Sequence, residues 1–222
     1  MIKCENIFKS FEGRTVLNDI SVEFDTGKTN LIIGRSGSGK TVLLKSLVGL
    51  HDVDSGKIYY DDVCYTDLGF KERKAIRKDI GMIFQGGALL DSSNVRENVR
   101  LPLDLFTTMS EGEKRDRVTF CLERVRLTGA DNLYPSELSG GMVKRVAIAR
   151  AIVLNPRYLF CDEPNSGLDP ISSRIIDSLI SDITHEYGIT TIINTHDMNS
   201  VLGIGENIVF INKGKVRIYT YS

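Results

Sequence analysis

The chain has 222 residues, 41% hydrophobic and 26% charged, a balance ordinary for a folded globular protein. Its 28 Lys and Arg against 29 Asp and Glu leave a formal net charge of -1, which argues against a polyanion-binding surface and so against a nucleic-acid partner. No apolar run approaches the roughly 20 residues that cross a bilayer, and the best stretch, Val146 to Leu154, is interrupted by Arg150. No apolar leader follows Met1. Cys4, Cys64, Cys121 and Cys161 are scattered without CxxC spacing and read as free thiols of a reducing compartment, with Cys161 as a small core residue.

Short strands are expected at Ile2 to Phe8, Ile20 to Phe24 and Thr29 to Ile33, with turn signals at Glu12-Gly13 and Thr26-Gly27. Val42, Leu43, Ser46, Leu47 and Leu50 keep helical spacing, so a helix is expected from Gly39 to Gly49. A strand pair around Lys57 to Tyr60, a charged helix Lys71 to Lys78 and an apolar strand Asp79 to Phe84 follow. Asn94 to Gly129 reads as helical and charge-rich, broken by Pro102 and restarted by the capping signal Ser110-Glu111-Gly112-Glu113. The remaining expectations are helix Ser139 to Leu154, strand Arg157 to Asp162, helix Pro170 to Tyr187, strand Thr190 to Asn194, a short helix from Asp197 and a hairpin at Asn212-Lys213-Gly214. Strands alternating with helices on both sides of a helical insert imply an α/β core with a separate helical lobe.

Gly34-Arg35-Ser36-Gly37-Ser38-Gly39-Lys40-Thr41 matches the P-loop pattern GxxxxGK[ST] and lies where a strand hands over to a helix. Glycines let backbone amides turn inward around phosphate oxygens, and the helix N-terminus adds a positive partial charge. Lys40 is placed to reach the β- and γ-phosphates of ATP, and the Thr41 hydroxyl to take a Mg2+ position. Further on, the apolar strand Leu159-Phe160-Cys161 ends in two carboxylates. Asp162 is expected to hold Mg2+ through its water shell, and Glu163 to act as general base on the attacking water.

The order of motifs through the whole chain resembles that of the ABC (ATP-binding cassette) ATPases. Leu138-Ser139-Gly140-Gly141 matches their signature loop, Ser166-Gly167-Leu168-Asp169 the D-loop, Gln85 the Q-loop glutamine and His196 the switch histidine. The resemblance implies that Gln85 senses the γ-phosphate and Mg2+ site and contacts a membrane partner. It also implies that Phe11 stacks on adenine with Val16 beside it. Ser139, Gly140 and Gly141 precede a helix, and in the family this surface caps the γ-phosphate bound by the opposite subunit. A homodimer sandwiching ATP is therefore expected, with Asp169 near the shared site.

The implied fold is an α/β P-loop cassette: a RecA-like core with an antiparallel β subdomain and a helical subdomain. The boundaries are about 1–87 and 150–222 for the core and about 88–149 for the helical part. Met142 stands where the signature normally ends in Gln, and Asn165 where Thr is commoner. LSGGM followed by Lys144-Arg145 is similar to the subgroup serving MCE-type (Mla-like) lipid transporters, as are the run Ile83 to Ser92 and Val95, Glu97, Asn98, Val99, Pro102 and Leu103. That implies an ATPase on the cytoplasmic face of a membrane, held there by permease subunits and an MCE-domain protein. The alternative is a non-transport ABC ATPase energising a cell-division or cofactor-assembly complex.

Overall fold

Two sheets share the chain, and the computed structural model describes residues 1–220 of it. The smaller is antiparallel, in the order β2-β1-β4-β5, built from β1 (Ile2–Phe11), β2 (Arg14–Phe24), β4 (Ser55–Tyr60) and β5 (Val63–Cys64). The larger has six strands in the order β10-β9-β3-β8-β7-β6: β3 (Thr29–Ile33), β6 (Ile80–Ile83), β7 (Tyr158–Asp162), β8 (Thr190–Thr195), β9 (Asn207–Asn212) and β10 (Lys215–Thr220). Only its β9–β10 pair is antiparallel. The helices are α1 (Lys40–Val48), α2 (Phe70–Arg77), α3 (Val95–Phe106), α4 (Glu111–Arg124), α5 (Gly140–Ile152), α6 (Pro170–Tyr187) and α7 (Met198–Ile204).

A mostly parallel sheet needs cover on both faces, so its strands are apolar on both sides. Successive side chains alternate accordingly. Leu31, Leu159, Cys161 and Ile193 enter a core shared with α3, α4, α5 and α6. Ile32, Tyr158, Phe160 and Ile192 enter a second core shared with α1 and the antiparallel sheet. Tyr60 joins the sheets, packing edge-on to Tyr158 with ring centroids 4.8 Å apart while its hydroxyl donates to the Leu47 carbonyl at 2.8 Å.

Two sequence expectations need correction. Pro102 does not break its helix, because α3 runs through it to Phe106. Losing one backbone donor costs about 3 kcal/mol, but Val95, Val99 and Leu103 form a fully buried stripe at helical spacing, worth roughly 1.5–3 kcal/mol per side chain. The second strand starts at Arg14, ahead of the expected Ile20. The alternation is hidden by bulges: Asn6 and Asp19 sit at φ 49° and 60° and bond to one another, Nδ2 to Oδ1, at 2.8 Å.

Candidate functional site

The registers Ile33↔Thr195 and Asp162↔Asn194 bring the C-terminal ends of β3, β7 and β8 to one edge of the large sheet. That is the edge where open α/β sheets bind ligands. The loop leaving β3 is shaped by two glycines. Gly34 has φ 154°, and a Cβ there would lie 2.3 Å from the Ile211 carbonyl oxygen. Gly39 caps α1 at φ 108°, and its Cβ would lie 3.1 Å from the Val16 carbonyl oxygen. Val16 is thus beside this loop. The β9–β10 turn supports it from below, through Gly214 N–H donating to the Ser38 carbonyl at 3.3 Å.

Lys40 is buried, and its ammonium folds back over the loop, donating to the carbonyls of Gly34 at 2.8 Å and Arg35 at 3.3 Å. Ser36 and Gly37 are exposed at the rim. Ser38 Oγ is buried with no hydrogen-bond partner among the described residues, which leaves a donor free for a phosphate oxygen.

The acidic end of β7 meets this loop. Thr41 Oγ1 donates to Asp162 Oδ1 at 3.1 Å, and Asn194 Nδ2 donates to the same oxygen at 3.1 Å. The Thr41 hydroxyl and Asp162 carboxylate are hard oxygen donors, of the kind Mg2+ takes together with phosphate and water. No cluster of three or more His, Cys, Asp or Glu forms among the described residues. Glu163 turns out of the strand at φ 49°, a left-handed conformation that costs a non-glycine residue about 1–3 kcal/mol. Its N–H is tied to the Asn194 carbonyl at 3.0 Å. The turn aims its carboxylate at His196, whose Nδ1 lies 2.8 Å from Glu163 Oε2.

Gln85 is held at both ends. Its Nε2 donates to Ser166 Oγ at 3.1 Å, and its backbone carbonyl accepts from Lys144 Nζ. Arg150 donates to the Gly87 and Ala88 carbonyls, both at 2.7 Å, so α5 grips the segment after Gln85. Lys144 is buried, and burial pushes its pKa below the usual lysine range.

Ser139 caps α5, accepting from Met142 N–H at 3.3 Å. Gly140 and Gly141 lie beside the D-loop and the start of α6: a Cβ on Gly140 would lie 3.4 Å from Leu168, and one on Gly141 3.7 Å from Ser172. Asp169 caps α6, accepting from the Ile171 and Ser172 amides at 2.9 and 3.0 Å and from the Ser172 hydroxyl. The Ser172 hydroxyl bond comes first in holding its carboxyl below the usual range. Phe11, at the end of β1, is 40% exposed, edge-on to His51 at 5.5 Å, with Lys9 Nζ 5.3 Å from its ring centroid.

Asn194 and Arg150 carry contacts at the site that sequence reasoning did not single out. Only Arg150 left a signal, as the one charge inside an apolar run.

A family model described as ABC transporter matches residues 17–166. The chain is 40% identical to the methionine import ATP-binding protein MetN of Campylobacter jejuni, over 97% of this chain and 69% of that protein. It is 38% identical to the probable ribonucleotide transport ATP-binding protein mkl of Mycobacterium leprae, over 93% of this chain and 60% of that protein. Among solved structures, the dimeric post-hydrolysis state of the ATP-binding cassette MJ0796, bound to ADP and Pi, superposes with a TM-score of 0.90 at 34% identity, covering 99% of this chain and 98% of that one. The chain is therefore an ATP- and Mg2+-dependent ATPase and belongs to the ABC transporter family.

Proposed function

We propose that two copies of the chain close around ATP and drive a membrane permease whose cargo is a lipid. One observation carries the dimeric reading: Ser139 to Gly141 offer a helix N-terminus, with Gly140 and Gly141 beside Leu168 and Ser172. An anion-binding surface so placed is suited to a γ-phosphate held by the other copy. Phe11 and Val16 would flank adenine, and Gly34 to Thr41, including Ser36 and Gly37, would wrap the phosphates. Thr41, Asp162 and Gln85 would hold Mg2+, which neutralises charge on the β- and γ-phosphates.

Glu163 takes a proton from water as the water oxygen attacks the γ-phosphorus and the bond to the ADP oxygen breaks. His196 orients that carboxylate through the 2.8 Å contact. Asp169 serves the site indirectly, by fixing the start of α6 next to Gly141.

No helix among the described residues is long and apolar enough to cross a membrane; in this reading the permease holds the chain at the membrane. The lipid reading is supported by the resemblance of Met142 in the signature and of the run Ile83 to Ser92 to the lipid-transporter subgroup. The relatives named for methionine import and for ribonucleotide transport supply the competing cargoes. The test is purification of the complex from its native membrane, with identification of bound proteins and small molecules. An MCE-domain partner with co-purifying phospholipid supports the proposal; a permease carrying methionine, or a cell-division or cofactor-assembly complex, overturns it.

A further inference from the structure

Asn165, Asp177 and Ser200 meet inside the protein, at 9%, 7% and 1% exposure. Asn165 Nδ2 donates to Asp177 Oδ1 at 2.7 Å and to Ser200 Oγ at 3.0 Å, and Ser200 Oγ donates to Asp177 Oδ2 at 2.9 Å. No cation pairs with this carboxylate among the described residues. Burial pushes its pKa above the usual range, and the Asp197 carboxylate pushes the same way. Asn165 Oδ1 has no partner among the described residues, but the other polar atoms of the three side chains bond to one another, and directional bonds of this kind fix register where apolar packing does not.

The three residues belong to segments that end at the site. Asn165 follows Glu163 by two residues and precedes Ser166, the partner of Gln85. Asp177 lies on α6, the helix capped by Asp169. Ser200 lies on α7, which begins directly after His196-Asp197.

We propose that Asn165, Asp177 and Ser200 form a positioning brace that holds the D-loop and the His196 loop in register, so that Glu163 and His196 meet correctly during hydrolysis. None of the three touches substrate, and the inference rests on the reading of Glu163 and His196 as the hydrolytic pair.

The test is steady-state hydrolysis of Mg-ATP by the full chain for Asn165→Ala, Ser200→Ala, Asp177→Ala and Asp177→Asn, with ATP affinity measured on each. The alanine variants should lose about tenfold or more in kcat while KM and the ATP Kd stay within about threefold. Asp177→Asn should recover most of the loss, since its Oδ1 still accepts from Asn165 and its amide donates to Ser200 Oγ. Ser200→Ala removes a single hydroxyl and keeps the test open if Asp177→Ala does not fold. Variants that bind ATP normally and turn over at the wild-type rate would overturn the brace, as would Asp177→Asn being as slow as Asp177→Ala. Glu163→Gln, assayed in parallel, separates the two ideas. Normal turnover there removes the general-base role of Glu163, whereas the brace stands or falls on the kcat of the other variants.

Discussion

Lys144, on the helix that Ser139 caps, donates its ammonium to the backbone carbonyl of Gln85. Helix α5 and the segment that begins at Gln85 are thereby joined by a charged hydrogen bond, with Arg150 adding two more to Gly87 and Ala88. A movement of α5 toward a partner's nucleotide would carry the Gln85 segment with it.

Lys144→Met should loosen that joint while keeping the buried volume. An unmet buried carbonyl costs about 1–3 kcal/mol, so kcat should fall several-fold with ATP affinity unchanged, and Lys144→Arg should restore part of the loss. Protease nicking between Gln85 and Ser92 should accelerate in the Met variant. An unchanged cleavage rate together with normal turnover counts against the coupling role.

Glu163→Gln keeps the side chain's shape and its contact distance to His196 but removes the base. Turnover should fall by about 10²–10⁴-fold, and size-exclusion chromatography in ATP should show a stable dimer. A wild-type rate excludes Glu163 as the base.

Gly141→Asp tests the division of the site between two copies. A Cβ at Gly141 meets only ordinary contact with Ser172 at 3.7 Å, so the chain should fold and bind ATP. Hydrolysis and ATP-dependent dimerisation should be lost, because a carboxylate would face the other copy's γ-phosphate. Loss of ATP binding by the isolated chain would instead place Gly141 in its own nucleotide site.

Gly34→Ala should act in the opposite way. Its Cβ would lie 2.3 Å from the Ile211 carbonyl oxygen, so the loop must shift and ATP affinity should drop at least about tenfold, the equivalent of 1.4 kcal/mol. Calorimetric titration with ATP measures this directly, and wild-type affinity would show that the loop yields freely.

Asp177 predicts a pH dependence of stability. Its folded-state pKa is raised, so the native chain holds this proton more tightly than the unfolded chain does. Stability from this group is therefore greatest at low pH and declines as pH rises from the ordinary carboxylate range through the raised value. Asp177→Asn cannot titrate. The difference in unfolding midpoint, variant minus wild type, should grow with pH across that window and then level off. A difference independent of pH would mean that Asp177 keeps an ordinary pKa in the fold.

The P-loop, the Leu159 to Glu163 strand end and the capped helix at Ser139 were legible because each is contiguous: a few neighbouring residues carry both the local structure and the chemistry. Pro102 misled because local propensity favours a break, whereas the burial of Val95, Val99 and Leu103, which depends on distant partners, outweighs it. Asn165 looked like a minor departure from Thr, yet it sits at the centre of a buried polar group whose other members lie on α6 and α7.

By itself the sequence determined the chemistry: a phosphate loop with Lys40 and Thr41, an Asp162-Glu163 pair and a Ser-Gly-Gly helix start, because spacing along the chain sets which backbone and side-chain groups a short segment presents. Only the tertiary structure decided how those segments are held. The Gly34 approach to Ile211, the sharing of Asp162 by Thr41 and Asn194, and the Lys144 grip on Gln85 all join residues far apart in sequence. Such pairings follow from parallel strand register and from burial, which no local pattern encodes.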